Sequence, residues 1–127
     1  MKKRKRVATS APWAVTVGYS RAIRAGRRIW VSGTLAVAEE GGIAHKGDAY
    51  RQAQRCLEII VQALHELEAG PEHVVRTRVF VTDAGHWQDV GRAHGEVFGE
   101  ALPATTMIVA GLLDPDALVE IEAEAVV

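Results

Sequence analysis

The chain has 127 residues, 48% of them apolar and 24% charged, with a formal net charge of −1. That size and balance specify one globular domain with a core of its own and exclude a disordered chain. The near-neutral charge supplies no basic field for nucleic acid or an anionic membrane, and no apolar run is long enough to span a bilayer.

The chain begins "MKKRKR", a charge run without the apolar stretch of a signal peptide. Residues 1–14 are therefore expected to form a basic, frayed tail, and residues 15–127 the single domain. "SRAIRAGRRIWVSGTLAV" reads as two short strands about a turn at Ala25-Gly26, because Ile29 and Val31 alternate with Arg28, Trp30 and Ser32. "EEGG" at 39–42 is a turn.

From Asp48 to Ala69 the period lengthens to three and four residues. Ala49, Ala53, Cys56, Leu57, Ile60, Ala63, Leu64 and Leu67 make one buried stripe of a helix, capped by Asp48 and ended by Gly70-Pro71. "VVRTRVFVTD" is β-rich, and Asp83 can cap a second helix with Trp87, Val90, His94, Phe98 and Ala101 on its stripe. Pro103 stops that helix, and strands at 104–110 and 119–126 complete the order β-β-α-β-α-β-β. The second helix is long enough to cross between parallel neighbours. Two helices cover only one face of such a sheet, so the other face is either wet or meets another subunit.

Candidate chemistry is sparse. In "LVEIEAEAVV", Val119, Ile121, Ala123 and Ala125 alternate with Glu120, Glu122 and Glu124, which sets three carboxylates in a row on one face. They either stand in water or include an acid sheltered enough to exchange protons near neutral pH. His94 is either a core histidine with one satisfied nitrogen or an ionisable group reaching a cleft over Gly91. Arg78 either pairs with a C-terminal glutamate across the sheet or serves as a spare cation, as Arg21 also could, and Arg92 and Glu96 are spaced for a helix-surface pair. His45, His65, His73, His86 and His94 show no close ligand spacing, so no metal or other cofactor is expected. The lone Cys56 excludes an internal disulfide, falls on a buried stripe where it is inert, and suits a reducing cytoplasm.

The segments "GYSRAIRAGRRIWVSG", "VVRTRVFVTD", "HGEVFGEALPATT" and "LVEIEAEAVV", in that order, resemble the Rid family of YjgF-like proteins, or reactive intermediate deaminases. The resemblance spans Tyr19 to Val127. It implies a chorismate-mutase-like α+β fold, with a mixed sheet, two helices on one face and a homotrimeric barrel whose ligand clefts lie between subunits. It also implies hydrolysis of small enamines and imines to carbonyl products and ammonia, although some members are described as endoribonucleases.

Carried over residue by residue, the pocket tyrosine falls on Tyr19, the close-approach glycine on Gly33 beside Ser32, and the proton-handling acid on Glu120. Thr105 stands where the deaminases have a carboxylate-clamping arginine, and Met107 completes the pocket. Thr34 and Gly91 replace a glutamine and an asparagine of the family pattern. A threonine hydroxyl offers neither the charge nor the fork of a guanidinium, so the usual 2-aminoacrylate is not the expected substrate. The resemblance thus implies a hydrolase of deaminase type for another small enamine, imine or carbonyl compound. A non-catalytic ligand-binding or regulatory trimer is the alternative, and an RNA-cleaving member ranks third because net charge −1 disfavours phosphate binding.

Overall fold

The computed structural model describes residues 3–127; Met1 and Lys2 of the basic N-terminal run lie outside the described residues. Strand β1 (Arg4–Val7) leads through a single helical turn, α1 (Ala14–Val17), to the hairpin of β2 (Ala22–Ala25) and β3 (Arg28–Thr34). Helix α2 (Ala49–Glu66) is followed by β4 (Val74–Val81), α3 (Trp87–Phe98), β5 (Ala104–Val109) and β6 (Val119–Val126). The strands form one mixed sheet in the order β1-β2-β3-β6-β4-β5. β4 and β5 are parallel with α3 as their connection, and the other neighbours are antiparallel. The architecture is α+β, as the sequence predicts.

The core is the helix-facing side of this sheet. Ile29 and Val31 of β3, Val79 and Val81 of β4, and Val119, Ile121, Ala123 and Ala125 of β6 are buried there with the stripe Ala53, Cys56, Leu57, Ile60, Ala63 and Leu64 of α2. α2 lies across β3 and β6 and packs against α3. The Asp48 side chain caps α2 by accepting from Arg51 N at 3.0 Å. Asp83 Oδ1 accepts from Gly85 N at 2.7 Å, fixing the 3₁₀ turn that opens into α3.

Buried Gln52, which the apolar stripe does not announce, ties α2 to the segment before β6. Its Nε2 donates to Asp116 O at 3.1 Å and its Oε1 accepts from Leu118 N at 2.8 Å. Those bonds set where β6 begins.

The structure departs from the sequence expectation at four places. α2 stops at Glu66, where Glu68 turns to a φ of 62°, ahead of the expected stop at Gly70-Pro71. Arg4–Val7, within the supposed tail, pairs along its length with Ala22–Ala25, because backbone ladder bonds and the packing of Val7 on the core compensate for the Arg4, Lys5 and Arg6 side chains that stay in water. The second helix ends at Phe98, so Ala101 lies beyond it; Trp87 is 58% exposed, and the buried stripe is Val90, Ala93 and Phe98. Arg92 does not pair with Glu96. It lies 3.9 Å from Asp89 and stacks 3.7 Å over the Tyr50 ring, while Glu96 accepts from Tyr50 Oη at 2.7 Å. The aromatic ring of α2 separates the two partners expected from helical spacing.

Candidate functional site

The face of the sheet away from the helices carries the acid row. Glu120, Glu122 and Glu124 stand opposite Phe80, Arg78 and Arg76 of β4, all half-buried. Arg78 Nη1 reaches Glu124 Oε1 at 3.5 Å and Glu122 Oε1 at 3.8 Å, so it pairs with the C-terminal glutamates rather than standing as a spare cation. Glu120 lies one step past this ion pair and has no ion-pair partner among the described residues. Burial pushes its carboxyl above the ordinary range, with Arg21 opposing and Glu122 reinforcing the shift.

Gly33 makes room for that carboxylate. A Cβ at position 33 would lie 2.7 Å from Glu120 Oε2. The strand is irregular there, with the β3–β6 register shifting between Val31 and Thr34. Arg21 holds the irregularity open: its Nη1 donates to Ser32 O at 3.2 Å, Gly33 O at 2.7 Å and Thr34 Oγ1 at 2.8 Å. The Arg21 guanidinium also lies 5.9 Å from the Tyr19 ring. Arg21 is only 7% exposed and is spent on the backbone, which makes it a scaffold for Gly33 rather than a ligand cation. No periodicity in the sequence marks it for that task. Tyr19, Gly33 and Glu120 thus gather round Arg21 at one end of the open face.

Thr105 and Met107 lie elsewhere. They pair with Thr77 and Val79 in the parallel β4–β5 ladder and so share the helix-facing side, with Met107 packed on the core. Thr105 Oγ1 is 2.8 Å from Thr77 Oγ1, which is 2.8 Å from His94 Nε2. His94 is half-buried under Phe98, its ring centroid 4.8 Å away, and burial lowers its pKa. It is neither wholly in the core nor against Glu120. Burial pushes the Cys56 thiol far up, consistent with an inert packing residue.

Within one chain the five candidate residues therefore form two groups on opposite faces. A groove of about 860 Å³ runs along α2 beside Arg55, Gln62 and Val97; Arg21 is among its lining residues, but none of the five candidates is. No helix among the described residues is long and apolar enough to cross a membrane.

Comparison with known proteins gives a consistent result. The family described as Endoribonuclease L-PSP matches residues 8–127. An uncharacterized protein of Streptomyces coelicolor is 38% identical over 123 residues, covering 95% of this chain and 90% of that protein. The 3-aminoacrylate deaminase RutC of Acinetobacter baylyi is 32% identical over 107 residues, 84% of this chain and 85% of that enzyme. The crystal structure of Rv2704 from Mycobacterium tuberculosis, a member of the YjgF/YER057c/UK114 family, superposes with a TM-score of 0.87 at 37% identity, covering 98% of this chain and 100% of that one.

Proposed function

The chain belongs to the Endoribonuclease L-PSP family of YjgF- and Rid-type proteins, and on that premise we propose that it is a hydrolase of deaminase type acting on a small enamine, imine or related carbonyl compound. The name of the RutC relative supports the reaction class. The observation that carries the reading is Glu120, a half-buried carboxyl with a raised pKa standing over the bare backbone of Gly33.

Hydrolysis of an imine adds water to the carbon of C=N and gives a carbinolamine, which collapses to a carbonyl and ammonia. Both water protons end on the nitrogen, one as water adds to C=NH and the second as the hydroxyl becomes the carbonyl and ammonia leaves. A carboxyl whose pKa is raised by burial can take each proton from oxygen and return it to nitrogen. Gly33 lets that carboxyl lie against the backbone where it can face a small substrate, and the Tyr19 ring lies near Arg21 at the same end.

The active form we propose is a homotrimer whose ligand clefts lie between subunits. Its support is the division of the candidate residues: Thr105 and Met107 on one face need a second copy to meet Tyr19, Gly33 and Glu120 on the other. Thr105 brings no positive charge. Exchanging a charge-assisted carboxylate pair for a hydroxyl costs about 2–5 kcal/mol in a sheltered cleft, so the substrate is not the usual 2-aminoacrylate. The same threonine favours, as a second reading, a trimer that binds a neutral metabolite without turning it over. A cytoplasmic setting fits the free, buried Cys56.

The test is ammonia release from imines generated by amino-acid oxidases and from uncharged imines. Glu120→Gln should lower turnover about 100-fold. Thermal stabilisation by a neutral carbonyl compound without turnover of any imine would establish the binding reading instead. Salt-sensitive RNA cleavage lost in Glu120→Gln would move the assignment to a ribonuclease.

A further inference from the structure

Parallel pairing of β4 and β5 places Thr77 beside Thr105, and α3 brings His94 over them. Thr77 Oγ1 stands 2.8 Å from Thr105 Oγ1 on one side and 2.8 Å from His94 Nε2 on the other. Thr77 is fully buried, and these two atoms are its hydroxyl's hydrogen-bond partners. A hydroxyl has one proton to give, so the three groups have two self-consistent arrangements.

In the first arrangement, His94 Nε2–H donates to Thr77, Thr77 donates to Thr105, and Thr105 is left to donate outward. The carbonyl of Pro103, 3.2 Å from Thr105 Oγ1, accepts that last proton when nothing else is present. In the second, Thr105 donates to Thr77, Thr77 donates to an unprotonated Nε2, and the lone pairs of Thr105 face outward. Passing from one to the other shifts each hydroxyl proton by one link and moves the imidazole proton between its two nitrogens. His94 Nδ1 makes no hydrogen bond among the described residues and is not sealed from water, so it exchanges its proton freely. Burial lowers the pKa of the ring and so favours its neutral form, which is the state that has two tautomers.

We infer that His94, acting through Thr77, sets whether Thr105 Oγ1 offers or accepts a hydrogen bond, and that Thr105 therefore receives an uncharged polar group of the ligand, a carbonyl, amide or hydroxyl, rather than a carboxylate. His94 and Thr77 are positioning residues; Thr105 is the contact. The inference rests on the reading of Thr105 as a residue that touches ligand. It adds a substrate class: compounds with a neutral hydrogen-bonding group on the side remote from the reacting carbon.

The experiment uses the full chain labelled with ¹⁵N-histidine, with His94 assigned by its absence in His94→Gln. Propanamide and propanoate, alike in shape and different in charge, are titrated separately. Propanamide should shift the His94 ring nitrogens between tautomers and move the backbone amides of Thr105, Thr106 and Met107, while propanoate at the same concentration leaves them in place. Thr77→Val should uncouple the two ends: His94 no longer responds, and propanamide binds about tenfold more weakly. Thr77→Ser should restore both.

A response to propanoate as large as that to propanamide, no response to either, or an unchanged His94 response in Thr77→Val overturns the inference. Should the buried Thr77→Val fail to fold, Thr105→Val at its exposed position serves in its place and must likewise silence His94. No readout here depends on turnover, so a protein that hydrolyses no imine yet shows this pattern loses the hydrolase assignment and keeps the relay.

Discussion

Gly33 and Glu120 bear on each other by direct contact, which separates function from stability at position 33. A methyl there would meet Glu120 Oε2 at 2.7 Å, and that oxygen is the far end of a flexible side chain. Gly33→Ala should therefore displace the carboxylate and lower imine turnover at least tenfold, while the melting temperature stays nearly constant. Glu120 also leaves a mark on stability. Its folded pKa is raised above its unfolded value of about 4.3. Between those two values the folded chain holds a proton that the unfolded chain has released, so stability falls as pH rises through that window. Glu120→Gln has no such proton. Denaturant unfolding should show the variant gaining on the wild type from acid toward neutral pH, and parallel pH profiles would contradict the raised pKa.

The elements differ in how openly the chain declares them. α2 is legible because its apolar residues recur at helical spacing after a capping Asp48, although it stops at Glu66 and not at Gly70-Pro71, and β6 because its alternation matches the pleat. Leu64 at the centre of that stripe is fully buried, and Leu64→Ala should cost about 2–5 kcal/mol. Urea unfolding would read this as a lower midpoint with an unchanged slope. β1 is not legible, since four residues rich in Arg and Lys have the composition of a solvated tail and are held chiefly by ladder bonds to β2, with Val7 against the core and Lys5 3.6 Å from Glu68. The site divides in the same way. Glu120 can be placed from its alternation, whereas the Thr77–His94 contact depends on β4 and β5 being parallel with α3 above them, a tertiary relation that no local spacing encodes. Arg21 is hidden for a similar reason: its partners are backbone carbonyls eleven and twelve residues away.

At the scale of the molecule, a sheet with helices on one side leaves Trp30, Ile108 and Val126 each at least 40% exposed. Burial of that surface between copies is what the proposed trimer supplies, and sedimentation equilibrium should give three times the 13.7 kDa chain mass. A monomeric mass would remove the intersubunit cleft and with it the meeting of Thr105 and Glu120. The outermost strand of the sheet has a separate consequence. β1 brings Arg4, Lys5 and Arg6 to one border. Cationic side chains repel a second chain seeking to extend the ladder, and they shield β2, which has one cation, Arg24, where β1 has three. A chain shortened to begin at residue 8 would bare Ala22–Ala25, a strand with the single charge of Arg24, as a stickier margin, and such a shortened protein should be lost to fibrous precipitation where the longer one stays dispersed.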